Sequence, residues 1–188
     1  ALGFEPPAFA HLPVILGPDR AKLAKRHGAA ALLDYRAMGY LPDALGNFLA
    51  LLGWSLDDKT EIMSRAELVS HFSPERILKS PAVFNMEKLT WMNGVYIRQL
   101  SPEELTNRLV PFLEQASSRD IPRPFDREYL LKIVPLVQER LKTLGNGLEG
   151  GPELTSFFFD DVLTYELSSL APKGLTSEGT RGALGSAL

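Results

Sequence analysis

The chain has 188 residues, 45% of them hydrophobic and 23% charged, with a net charge of −3 and no cysteine. That length suits one domain or two small ones, and the apolar fraction suffices for a packed core, which excludes wholesale disorder. The missing cysteines exclude a disulfide scaffold, thiolate zinc sites and cysteine nucleophiles, and the three scattered histidines (His11, His27, His71) argue against a histidine-built metal site. No apolar run approaches the ~20 residues needed to span a bilayer. The first residues lack the charged and apolar regions of a signal peptide.

Charge is unevenly spread. Residues 1–40 carry a net +2, residues 41–100 and 101–150 a net −1 each, and residues 151–188 a net −3. The densest basic spot is Arg20-Ala21-Lys22-Leu23-Ala24-Lys25-Arg26-His27, which follows the turn signal Gly17-Pro18-Asp19 and precedes Gly28. Leu12–Leu16 reads as a strand leading into this cationic loop. From Ala29 the pattern turns helical, with Gly39 as a stop. Leu41–Leu52 begins with Pro42 in its first turn and stops at Gly53; Leu45, Phe48, Leu49 and Leu52 keep the spacing of one buried face.

Ser64-Arg65-Ala66-Glu67 is a capping box that opens a helix to about Phe72. Ser73-Pro74 starts a short helix, with proline where its missing N–H costs nothing. Asn85 caps a helix to about Ile97. Ser101-Pro102-Glu103-Glu104 combines cap, proline and glutamate, and predicts a helix to about Ala116. Residues 119–126 form a linker, and Asp126 caps the next helix, which Pro135 kinks or divides in two. Glycines 145, 147, 150 and 151 end it. Pro152 starts a helix carrying Phe157, Phe158 and Phe159, which read as core. Residues 176–188 start like a helix with nothing to pack on. The coarse reading is mostly α, with strands confined to the first part.

Three constellations can carry chemistry. Several Lys and Arg on a Gly-flanked loop can close around a polyphosphate and neutralise charge in a phosphoryl or nucleotidyl transition state. Composition alone favours a solvated turn there, because clusters of four cations are common. In the segment 79–98, Trp91 and Tyr96 can stack on bases and Lys88 and Arg98 can touch phosphate, while Leu89, Met92 and Tyr96 share one helical face and read as core. Arg119, Arg123 and Arg127 recur every four residues, followed by Lys132, Arg140 and Lys142; a nucleic-acid backbone and a solvated face explain them nearly equally well. The pairs Asp57-Asp58, Glu103-Glu104 and Asp160-Asp161 have no histidine nearby, so no acid/base dyad is indicated. No nucleophile elbow, P-loop or dinucleotide fingerprint is present.

Ile15-Leu16-Gly17-Pro18-Asp19-Arg20-Ala21-Lys22-Leu23-Ala24-Lys25-Arg26-His27-Gly28-Ala29 resembles the KMSKR signature loop of class I aminoacyl-tRNA synthetases, and the trailing His-Gly is similar to bacterial glutamyl-tRNA synthetases. Tyr40-Leu41-Pro42-Asp43-Ala44-Leu45 with Leu51-Leu52-Gly53-Trp54 resembles the segment that follows in that family. Ser80-Pro81-Ala82-Val83-Phe84, Trp91-Met92-Asn93-Gly94 and Tyr96-Ile97-Arg98 resemble the next, and Val137-Gln138-Glu139-Arg140 with Phe157-Phe158-Phe159 continues it. The ordered succession over essentially the whole chain makes the resemblance specific.

The resemblance implies the following expectations. The chain is an internal or C-terminal fragment, because the family's HIGH-type motif and glutamate pocket precede this loop and His11-Leu12-Pro13-Val14 is not that motif. Residues 1–28 would be the C-terminal end of the class I nucleotide-binding fold. Residues 29–100 would be a small α/β stem-contact domain, 101–170 a helical-bundle anticodon-binding domain, and 171–188 the start of a second one. The parent enzyme is a cytoplasmic, monomeric glutamate–tRNA ligase that uses ATP with Mg²⁺, glutamate and tRNA(Glu) and passes through glutamyl-adenylate. The fragment alone would be inactive, and would bind no metal and no membrane. Lys22, Lys25 and Arg26 would sit against the ATP phosphates, with Lys25 stabilising the activation transition state. Lys88, Arg98, Arg119, Arg123, Arg127 and Arg140 would touch tRNA. Ala24 stands where the family has serine; one lost hydroxyl donor costs ~0.5–1.5 kcal/mol without changing the loop's charge. Two other readings stay open on the residues: a standalone helical tRNA- or RNA-binding module without catalysis, and a helical protein–protein adaptor, which leaves the basic loop followed by His27-Gly28 unexplained.

Overall fold

The structure, a computed structural model, describes residues 3–5, 7–24, 31–116, 125–147 and 149–159. Among them lie seven α-helices: α1 (Leu32–Ala37), α2 (Pro42–Leu51), α3 (Arg65–His71), α4 (Met86–Arg98), α5 (Pro102–Gln115), α6 (Arg127–Val137) and α7 (Gly151–Thr155), with 3-10 turns at Pro74–Arg76 and Ser156–Phe159. The molecule is mostly helical, as its sequence predicts. Among the described residues extended pairing is limited to isolated bridges, so the strand expected over 12–16 reduces to the single paired residue Leu16. Leu12, Val14 and Ile15 are exposed there, Leu12 and Ile15 along the rim of an open apolar cleft with Leu49, Trp54 and Phe72.

The caps read from the sequence start the helices. Ser64 Oγ accepts from the Glu67 amide at 3.2 Å, and Glu67 Oε2 accepts from the Ser64 amide at 2.7 Å. The Ser64 hydroxyl and amide hold the Glu67 carboxyl below its usual range. Ser101 and Glu104 repeat the arrangement at α5. Asn85 Oδ1 accepts from the Lys88 amide at 3.0 Å, and Asp126 Oδ1 accepts from the Glu128 and Tyr129 amides at 2.9 and 3.2 Å. Each cap supplies an acceptor that the first helical turn lacks.

Gly39 stops α1 in a Schellman turn. Its φ is +84°, the Tyr40 amide donates to the Tyr35 carbonyl at 3.0 Å, and the Gly39 amide donates to that of Arg36 at 3.0 Å. The accompanying apolar contact is the edge-to-face pair Tyr35–Tyr40, with centroids 5.8 Å apart. A Cβ on Gly39 would also fall 2.1 Å from the Gly145 nitrogen, so two backbones meet with no room for a side chain. The Leu144 amide donates to the Gly39 carbonyl at 3.0 Å and fixes that contact.

Pro135 does not divide α6, which runs unbroken to Val137. The ring sits in the last turn and is exposed, so it removes one hydrogen bond without striking a neighbouring helix. Pro111 is likewise carried on the exposed side of α5.

Two apolar clusters fill the interior. An aliphatic one joins Leu105, Leu109 and Leu113 of α5 to Leu130, Val134 and Val137 of α6, with Ile97 and Leu141. An aromatic one gathers Tyr35, Phe48 and Phe84 with Leu45, Leu52, Leu89 and Met92. Helices α2 and α4 contribute to both. Leu49 was expected on the buried face of α2 but is 47% exposed; Ala44 and Asn47 take that face instead. Phe158 and Phe159 are only half-buried, and Phe157 is 44% exposed, stacking on Phe158 at 4.3 Å; this aromatic run is a cover at the edge of the core rather than its centre.

Candidate functional site

The cationic loop is built on a tight hairpin. The Gly17 amide donates to the Ala21 carbonyl at 2.8 Å, the Arg20 amide to the Gly17 carbonyl at 2.9 Å, and the Leu23 amide to the Ile15 carbonyl at 2.9 Å. Asp19 Oδ1 accepts from the Ala21 amide at 3.0 Å and shapes the turn. Arg20 takes φ +60°, a left-handed conformation that costs an L residue about 1–2 kcal/mol.

Leu16 bridges this hairpin to the segment before α4. It pairs antiparallel with Lys22 and parallel with Val83. The Leu16 amide donates to the Ala82 carbonyl at 2.9 Å, and the Phe84 amide donates to the Leu16 carbonyl at 2.8 Å. Leu23 turns inward against the aromatic cluster, while Lys22 and Ala24 on either side of it are exposed. The alternation of a pleated chain thus aims Lys22 at solvent and anchors the loop by Leu23. Lys25 and Arg26, with His27 and Gly28, lie outside the described residues.

The other predicted contacts fall at separate places. Lys88, in the first turn of α4, is half-buried and paired with Glu61. Arg98 ends α4 and lies 3.9 Å from Glu139, which brings the ends of α4 and α6 together beside exposed Arg140. Arg127 opens α6 and donates to Asn107 Oδ1 of α5 at 3.1 Å. The rise of an α-helix puts Lys88 and Arg98 about 15 Å apart along α4. The described cations are therefore spread over several helix ends and are not gathered in one site. Arg119 and Arg123 lie outside the described residues. Trp91, one of the proposed stacking residues, is 44% exposed, whereas Tyr96 is buried.

Burial pushes the Tyr96 phenol above its usual pKa. Its oxygen lies 2.7 Å from Asn47 Oδ1 and 2.6 Å from the Met63 carbonyl, a placement that suits a core crossing point and not a base platform. Among the described residues no group of three or more His, Asp or Glu is arranged to hold a metal. None of their helices is long and apolar enough to cross a membrane.

Two side-chain amides hold the frame. Asn93 Oδ1 accepts from the Leu41 amide at 2.7 Å, and its Nδ2 donates to the Lys142 carbonyl at 2.6 Å, joining α2, α4 and the loop after α6. Gln138 Nε2 donates to the Ile97 and Leu100 carbonyls, both at 2.9 Å, and so satisfies the open end of α4. The available signal was an amide on an apolar helical face: Asn93 sits at the i+4 position of Leu89.

Residues 1–91 match a family described as tRNA synthetases class I (E and Q), catalytic domain. The chain is 47% identical over 184 residues to a glutamate–tRNA ligase of Dehalococcoides mccartyi, covering 98% of this chain and 37% of the relative. It is 50% identical over 186 residues to that of Roseiflexus castenholzii, covering 98% and 36%. A crystal structure of a glutamate–tRNA ligase from Elizabethkingia meningosepticum superposes with a TM-score of 0.69 at 27% identity, over 97% of this chain and 42% of that one. The enzyme from Elizabethkingia anophelis gives 0.71 at 27% identity, over 100% and 43%. The chain thus spans little more than a third of the length of the curated relatives it matches.

Proposed function

We propose, on the premise that this chain belongs to the glutamyl-tRNA synthetase family of class I aminoacyl-tRNA synthetases, that it works as the phosphate-loop and tRNA-binding part of a glutamate–tRNA ligase. The parent activity is ATP-dependent attachment of glutamate to tRNA(Glu) through glutamyl-adenylate, in a cytoplasmic monomer. ATP arrives with Mg²⁺ as substrate. Residues 1–28 end the nucleotide-binding domain, 29–100 form the stem-contact domain, 101–170 the first anticodon-binding domain, and 171–188 begin the second.

The observation that carries this reading is the hairpin itself. It presents Lys22 outward from a chain pinned by Leu16 and Leu23, within a sequence similar to glutamate–tRNA ligases over 98% of its length. Lys22, Lys25 and Arg26 bind the ATP phosphates, and Lys25 offsets charge that develops as pyrophosphate leaves. Lys88, Arg98, Arg119, Arg123, Arg127 and Arg140 supply backbone contacts to tRNA, with Lys88 exchanging Glu61 for phosphate.

The test is a chimera in which this chain replaces the matching segment of the Dehalococcoides mccartyi ligase. The chimera is expected to aminoacylate tRNA(Glu). Lys25→Ala in the chimera is expected to lower kcat about 10²–10³-fold. A folded chimera without activity, or one in which Lys25→Ala has no effect, overturns the assignment.

A further inference from the structure

A second cationic feature lies away from the hairpin. Between α1, the start of α2 and the far end of α5 runs an open cleft of about 620 Å³. Among the described residues, the charged side chains that line it are Arg36 of α1 and Arg108 of α5, and no carboxylate of theirs does. In a chain of net charge −3 the two arginines make this cleft locally positive; Arg108 also borders a neighbouring cleft that carries Asp43, Glu67 and Glu104. Neither arginine is paired with a carboxylate among the described residues, in contrast to Lys88 and Arg98. The rest of the lining is mainly apolar, with Leu33, Pro111 and Phe112, beside the polar ends of Tyr40 and Gln115.

The floor of the cleft is rigid. Leu144 lines it and donates its amide to Gly39, whose backbone abuts Gly145. Leu41 lines it too, with its amide held by Asn93. Arg36 and Arg108 therefore project from two separate elements over a preorganised base. Arg36 lies inside the segment that matches the catalytic-domain family, and Arg108 lies beyond it.

We infer that this cleft is a binding site for an RNA sugar–phosphate backbone, with Arg36 and Arg108 each taking a phosphate oxygen and the apolar lining between them receiving the sugar. Guanidinium forks pair with phosphate in bidentate fashion, and a pair of cations across an apolar strip fits the alternation of phosphate and sugar along a strand. The inference rests on the reading of the chain as a tRNA-binding part. It adds two contacts outside the cations assigned from sequence.

The experiment is filter binding of transcribed tRNA(Glu) to the whole 188-residue chain over a range of salt concentrations. Arg36→Gln and Arg108→Gln are each expected to weaken binding about tenfold at low salt. Each should also make the slope of log K against log salt shallower by about 0.7–0.9, the value of one lost phosphate contact. Lys59→Gln, a charge change on an exposed loop, should leave both unchanged. Arg108→Lys should keep the slope, which separates a charge contact from a packing role. Thermal melts check that each variant is folded, and the exposed Arg36 provides a reading if Arg108→Gln is not. Salt-dependent binding by the wild-type chain that both glutamine variants retain in full overturns the cleft alone. Absence of salt-dependent binding by the wild-type chain overturns the tRNA-binding reading and the cleft with it.

Discussion

The two apolar clusters share helices α2 and α4 but differ in kind. The aliphatic cluster is a run of leucines and valines between α5 and α6, many of them fully buried, with Ile97, Leu105, Leu109 and Leu130 all at 0% exposure. The aromatic cluster under α2 and α4 is held by ring contacts, Phe48 on Phe84 at 4.9 Å and Tyr35 on Phe84 at 6.1 Å. The first closes on itself and supports the helical half. The second carries Leu23 and, through the Leu16–Val83 bridge, the whole cationic hairpin. Both clusters stabilise the fold, but only the aromatic one also places the loop.

The largest effect is expected from Phe84→Ala, which empties the centre of the aromatic cluster. It should cost about 3–5 kcal/mol in denaturant unfolding, and it should also raise the rate of tryptic cleavage after Lys22 in the folded protein. Destabilisation without faster cleavage would break the link between this cluster and the hairpin. Leu109→Ala in the aliphatic cluster should cost about 2–5 kcal/mol and leave native-state cleavage after Lys22 unchanged. Equal cleavage in the two variants would erase the distinction between the clusters.

Asn93→Ala tests the seam where the clusters join. It strips partners from the Leu41 amide and the Lys142 carbonyl, at about 1–3 kcal/mol for each buried group left unsatisfied; urea denaturation measures the sum. Ser101→Ala removes the cap of α5 and should cost about 1 kcal/mol, seen as a small drop in melting temperature. A loss several times larger would mean that α5 depends on its cap more than on its leucines.

The smallest effect is a pH dependence at the loop before α3. Hydrogen bonds from the Lys59 and Thr60 amides, and then from the Thr60 hydroxyl, hold the Asp57 carboxyl below its ordinary value of 3.8. A depressed folded-state pKa gives stabilisation that is present above the unfolded value and lost as pH falls through the folded one. Asp57→Asn should therefore flatten the acid side of the stability profile below about pH 4 and leave its shape near neutrality unchanged. An unaltered acid limb in acid-denaturation curves would remove this loop from the account.

Helix starts were legible because their signals are local: a hydroxyl or carboxylate at the cap and a proline or glutamate just after it fix the geometry within one turn. The ends of elements and the inward faces were less so. Leu49 has the right spacing for burial, but α2 turns its Asn47 inward to meet the Met63 amide and Tyr96, which rotates Leu49 outward. The segment 12–16 differs for another reason: a strand needs a partner chain along its length, and among the described residues only Leu16 is bridged to one. For the basic loop the sequence supplies the motif and the structure adds how Lys22 is aimed, while Lys25 and Arg26 lie outside the described residues. Arg36 and Arg108 carry no sequence signal as a pair. They are 72 positions apart, and only the packing of α5 against the turn after α1 makes them neighbours of one cleft.

The meeting of Gly39 and Gly145 limits where this chain can change length. With the two backbones in direct contact and a hydrogen bond from Leu144 across them, an inserted residue at 38–40 or 144–146 has nowhere to bulge. The turn at Asp57, Asp58 and Lys59 is exposed and closed by its own side chain. Insertions and deletions in proteins of this shape should therefore collect at that turn and be absent from the glycine contact, a pattern set by geometry alone.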